Sequence, residues 1–126
     1  MSRILIVDDN PTNLKLVTYI ARSRGYDVDT ANDAAAALRA IDANRPAVIL
    51  MDLQLPGVDG LELTRALKAN PTTREIAIIA VTAYAMKGDH EKALAAGCDD
   101  YVTKPIDTRT LPDVIARHVK RAELRS

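Results

Sequence analysis

The sequence has no Trp and no Phe, and only four Tyr among 126 residues. Stacking platforms for nucleic-acid bases or a flavin ring are therefore hard to build. One cysteine, Cys98, excludes an intramolecular disulfide and is compatible with a reducing compartment. Charge of one sign is not in excess: 17 Lys and Arg balance 17 Asp and Glu. A zero net charge gives no electrostatic footprint for a polyanion or a membrane surface. No apolar run approaches the roughly 20 residues of a membrane span, and the start, "MSRILIV", shows no leader or cleavage site. The expectation is a soluble, cytoplasmic protein, with no nucleic acid and no membrane among its partners.

What is present is a regular alternation. Short apolar runs lie at 4–7, 47–51 and 76–81, with weaker strand candidates at 26–31 and 100–103. Stretches of helical spacing separate them. The first follows "NPTN", where Asn10 or Thr12 can cap and Pro11 suits the first turn. It places Leu14, Leu16, Val17, Ile20 and Ala21 mostly on one face and stops at Gly25. Further helices are expected from about 32 to 44, from Gly60 to before Pro71, from about Met86 to Ala96, and from about Thr108 towards Leu124. Pro112 is tolerable near the first turn of the last helix. The order βαβαβαβαβα predicts an α/β fold of the (βα)5 kind. Its expected core is a five-stranded parallel, doubly wound sheet in the flavodoxin-like order 2-1-3-4-5. "AVILMD" and "IAIIAVT" are nearly continuous apolar runs, as strands covered on both faces require.

Ligands of such sheets bind at the carboxyl ends of the strands, near the switch between strands 1 and 3. Strand 1 runs out into Asp8 and Asp9, strand 3 into Asp52, strand 4 into Thr82, and strand 5 into Thr103 and Lys104. Three carboxylates, a hydroxyl and an ammonium thus converge on one end of the sheet. Adjacent like charges are costly unless something positive lies between them. Magnesium answers that need: it takes oxygen ligands, keeps several waters, and uses one or two carboxylates plus phosphate oxygens. Mn2+ is an acceptable substitute. A carboxylate beside such an ion can attack phosphorus and form an aspartyl phosphate. Lys104 and the Thr82 hydroxyl would then meet the phosphoryl oxygens. Cys98 and Met51 read as core residues, and His90 and His118 as surface residues without a second ligand at metal spacing. The basic tail "ARHVKRAELR" reads as a complement to a helix C-terminus.

At these residues the chain resembles the receiver domains of two-component response regulators. "ILIVDDN", "LMDLQLPGVDG", "IIAVTA" and "GCDDYVTKPI" fall in that family's order and spacing, and the likeness covers essentially the whole chain. The stretch "VTAYAMKGD" is most similar to the stand-alone DivK-type cell-division regulators. The resemblance implies a phosphorelay function, with Asp52 the phosphoacceptor and Thr82 and Lys104 the residues that sense phosphate. It implies a metal site of Asp8, Asp9, Asp52 and the backbone carbonyl of Gln54, with Asp9 a direct ligand and Asp8 acting largely through water. It implies Tyr101 as the aromatic switch partner of Thr82, and a cis peptide before Pro105. The Gln54 side chain is expected to stand in the path of attacking water. The implied partners are a histidine kinase or a histidine phosphotransfer protein, and downstream a protein that docks on helix 4, strand 5 and helix 5. Tyr84 and Met86, beside Lys87 and Asp89, are the contact residues expected there.

Residues 1–126 are expected to be one receiver domain with no output domain, monomeric or weakly dimeric. The alternative is a receiver cut from a larger response regulator or hybrid histidine kinase. A receiver catalyses only its own phosphorylation and dephosphorylation. An aspartate-nucleophile phosphatase would need a second Asp two residues after the nucleophile, where Gln54 stands. A flavin-binding electron carrier would need a phosphate-binding loop where "VDDNPTN" is acidic.

Overall fold

The computed structural model describes residues 2–55, 59–83 and 87–125. Strands and helices alternate in strict order: β1 Arg3–Val7, α1 Pro11–Ser23, β2 Asp27–Ala31, α2 Ala34–Ala43, β3 Val48–Asp52, α3 Gly60–Ala69, β4 Ala77–Thr82, α4 Lys87–Ala96, β5 Asp100–Thr103 and α5 Leu111–Arg125. All neighbouring strands pair in parallel, in the order β2-β1-β3-β4-β5. This is the parallel sheet that the alternation predicts, in the expected flavodoxin-like order.

β3 is buried at every residue, and β4 at all but its first. Two apolar clusters, one on each face, sandwich the sheet. One gathers Leu5, Ile49, Met51 and Ile78 with residues of α2 and α3 and with Cys98. The other gathers Ile4, Leu50, Ile79 and Val81 with Val17 and Ile20 of α1 and with Ile115 and Val119 of α5. Burying a side chain of this size contributes about 1.5–3 kcal/mol, so the central strands anchor everything mounted on their ends. Leu16, expected on the inner face of α1, is 37% exposed. It lies two residues beyond Leu14, which is too far round the helix to share its stripe.

Side chains set the helix boundaries. The Asn10 side chain accepts from the N–H groups of Thr12 and Asn13, and Pro11 opens α1. Asp33 and Asp59 cap α2 and α3 in the same way. The last helix begins later than the spacing predicts, because the Asp107 carboxylate accepts from the Arg109 N–H at 2.8 Å and holds 108–110 in a turn. Gly97, after α4, has φ +107°, where a side chain would be strained. Met86, the expected start of α4, lies outside the described residues, as does Tyr84.

His118 is not a surface residue. It is 3% exposed, and its Nε2 lies 2.9 Å from Asp100 Oδ2, fastening α5 to the start of β5. Burial pushes the Asp100 carboxyl up. The hydrogen bonds from His118 and the Tyr101 amide, with the charges of His118 and Arg117, outweigh that and hold it below its ordinary value.

Candidate functional site

The carboxyl ends of β1 and β3 are adjacent in the sheet, so residues that follow them in sequence become neighbours in space. Asp8, Asp9 and Asp52 each offer a carboxylate oxygen, and these oxygens all lie within 4.8 Å of one another. Asp8 and Asp52 are buried, at 4% and 1% exposure, while Asp9 is exposed.

Local hydrogen bonds fix each buried carboxylate. The Asn10 amide donates to Asp8 Oδ1 at 2.8 Å, so the start of α1 orients Asp8. The Gln54 amide donates to Asp52 Oδ1 at 2.9 Å. Lys104, which follows β5, places Nζ 3.1 Å from Asp52 Oδ2. Both oxygens of Asp52 are thus engaged, one by a backbone dipole and one by a charge. The Lys104–Pro105 peptide is cis. The close approach of α3 to the end of β3 depends on Gly60: a Cβ there would stand 2.9 Å from the Asp52 carbonyl oxygen and 2.9 Å from Leu53 Cα.

The electrostatics of the cluster are unbalanced. Burial is the main reason that the Asp8 carboxyl is raised above its ordinary value, and the charge of Asp52 raises it further. The Asn10 amide and Lys104 act in the opposite direction without cancelling the effect. One ammonium therefore does not neutralise three carboxylates. The donors are hard oxygens, one of them exposed to solvent, and this set suits Mg2+ with several waters retained.

Thr82 is 1% exposed at the end of β4, and its carbonyl accepts from the Lys104 amide at 2.8 Å. Its hydroxyl oxygen accepts from Gln54 Nε2 at 2.7 Å. Tyr101 is half-buried on β5, and its ring stacks on His90 of α4, with centroids 4.8 Å apart and planes inclined at 17°. Asp8, Asp9, Asp52, Gln54, Thr82 and Lys104 thus meet at one end of the sheet, with Tyr101 one strand further out. Two features escape a reading of the sequence. That reading gives Gln54 its carbonyl and a place before water, but no bond to β4, and it makes His90 a plain surface residue. Neither contact carries a local signal: Gln54 and Thr82 lie on different strand ends, and the His90–Tyr101 stack depends on how α4 packs on the strand that follows it.

Comparison with known proteins agrees with this geometry. A model of the response regulator receiver domain matches residues 4–116. The chain is 40% identical, over 92% of its length and 94% of the relative's, to the polar-differentiation response regulator DivK of Brucella anthropi. A CheY-like response regulator receiver domain protein from Methanospirillum hungatei superposes with a TM-score of 0.89 at 32% identity, covering 100% of this chain and 99% of that one. The receiver domain of the sensor histidine kinase PA1611 from Pseudomonas aeruginosa does so with a TM-score of 0.85 at 39% identity, covering 94% and 98%. That neighbour has a magnesium ion coordinated in its active-site cleft.

Proposed function

The chain belongs to the response regulator receiver domain family, and from that premise we propose that it accepts a phosphoryl group on Asp52 and signals through contacts that depend on it. Its general function is phosphorelay signalling in two-component systems, and it is a signalling domain and not a conventional enzyme. Residues 1–126 act as one receiver. The donor is the phosphohistidine of a histidine kinase or of a histidine phosphotransfer protein.

The observation that carries the assignment is the environment of Asp52. It is a buried carboxylate, held by the Gln54 amide and Lys104, and set within 4.8 Å of two further carboxylates. In the transfer, a carboxylate oxygen of Asp52 forms a bond to phosphorus as the N–P bond of phosphohistidine breaks. The electron pair returns to the imidazole nitrogen, which takes up a proton. Asp8, Asp9, Asp52 and the Gln54 carbonyl would hold Mg2+, or Mn2+ in its place; the magnesium ion in the cleft of the Pseudomonas aeruginosa neighbour supports this. The bound ion supplies positive charge against the carboxylates and the phosphoryl oxygens. Asp52 is oriented by its two hydrogen bonds, and Lys104 is a short swing from the incoming oxygens. The Thr82 hydroxyl serves as a further donor.

Acetyl phosphate with Mg2+ tests this reading. Intact-mass measurement should show one added phosphoryl group, and peptide mapping should place it on Asp52. Asp52→Asn should take up none. Undiminished labelling of that variant would refute the assignment.

A further inference from the structure

The last backbone bond between β3 and β4 runs from the Leu53 N–H to the Val81 carbonyl, at 3.0 Å. Beyond it a side chain takes over. Gln54 Oε1 accepts from the Ala83 N–H at 3.2 Å, and Gln54 Nε2 donates to Thr82 Oγ1 at 2.7 Å. The amide uses one N–H donor and its oxygen, as a peptide group would, and adds a rung to the ladder. Its orientation is settled by chemistry. The Ala83 N–H can only donate, so the oxygen must face it and the NH2 must face Thr82.

The backbone of Thr82 is already pinned, because its carbonyl accepts from the Lys104 amide. The side-chain rotamer is the freer part, and the Gln54 amide is one of the groups that hold it. We propose that the Gln54 side chain is a latch on Thr82: it keeps the hydroxyl in its resting position, and a phosphoryl group on Asp52 must compete with Gln54 for it. Gln54 is then a positioning residue with two ends. Its own amide N–H grips Asp52 Oδ1 at 2.9 Å, while its side chain grips the residue that answers to phosphate. The inference rests on the phosphoacceptor reading of Asp52. A latch of one neutral hydrogen bond shifts the resting balance by about threefold to tenfold.

The test compares the full chain with Gln54→Ala and with Gln54→Met, which keeps the length without the amide. Beryllofluoride, which stands in for the phosphoryl group on Asp52, is titrated with Mg2+ present. The Thr82 rotamer is read from three-bond couplings to its methyl group, and the latch from the Ala83 amide signal. Both variants should show averaged Thr82 couplings and a displaced Ala83 amide before beryllofluoride is added, and should then bind it about threefold to tenfold more tightly. Wild-type couplings and affinity in both variants overturn the latch, as does weaker binding, which would make Gln54 an aid to the activated form. Failure of the wild type itself to bind beryllofluoride overturns the phosphoacceptor reading, and the latch with it.

Discussion

Asp8 meets two opposing demands. It sits on the end of a buried strand, which favours a neutral group, and in the proposed magnesium site, which needs negative charge. Burial, with the charge of Asp52 added, raises its carboxyl above the ordinary value of 3.8. The sign follows from linkage. A carboxyl raised by folding contributes most below its unfolded value, and that contribution is lost as pH rises through the folded value. At neutral pH an ionised Asp8 therefore opposes folding until a cation joins it. Two like charges within 4.8 Å of each other repel by at least about 3 kcal/mol at an effective dielectric constant near 20. Lys104 offsets part of this. Asp8→Asn keeps an oxygen for the Asn10 amide and removes the charge. In chelator it should raise unfolding stability by about 1–3 kcal/mol, and added Mg2+ should stabilise it less than the wild type. Urea denaturation with EDTA and with Mg2+ measures both effects. A less stable Asp8→Asn protein in EDTA would mean that the repulsion is already screened.

At the scale of elements, the site depends on how tightly α3 returns to the end of β3. Gly60 is the contact point, and the nearest atoms that an added methyl would meet belong to backbone, which cannot step aside as a flexible side chain could. Gly60→Ala should cost about 1–3 kcal/mol in urea unfolding, the range of an overpacked core site. Acetyl phosphate should also label it more slowly, since the displaced atoms are those of Asp52 and Leu53. Unchanged stability and labelling would show that α3 adjusts freely. The strands, the helices and the acidic strand ends were legible in the sequence because each is a local pattern: apolar period, capping residue, or charge at the end of an apolar run. The parallel sheet followed from the alternation of strand and helix, and the strand order from preferring the flavodoxin-like member of that class. Most of what stayed hidden needs a partner on another element. His118 has no local mark of burial, and only the packing of α5 brings it to Asp100. The Gln54–Thr82 bond spans 28 positions and joins two strand ends. The delayed start of α5 lay in the Asp107 side chain, which competes with the helix for the following amides.

For the molecule as a whole, the question is how an event at Asp52 reaches a partner. The expected outlet is the surface of α4, β5 and α5. Its proposed contacts Tyr84 and Met86 lie outside the described residues, but two other features of that surface are on view. Leu94 of α4 is 49% exposed and stands one helical turn from His90, on the same side of the helix. His90 in turn stacks on the ring of Tyr101. Tyr101 is therefore held between the sheet, where it packs on the edge of the apolar cluster, and an exposed ring of α4. If Thr82 is drawn towards a phosphoryl group, the Tyr101 ring gains room to turn inward and must leave His90. The stack makes this movement observable, because each ring shifts the proton signals of the other. Beryllofluoride should displace the His90 ring signals and the Tyr101 amide together, and the same ligand should leave them still in Asp52→Asn. Tyr101→Ala should remove the response at His90 and still accept phosphate on Asp52. It should weaken binding of the activated form to its downstream partner by about tenfold, the weight of an aromatic anchor in an interface. Silent His90 signals in a protein that binds beryllofluoride would rule out this path, and the signal would then have to leave the site without Tyr101.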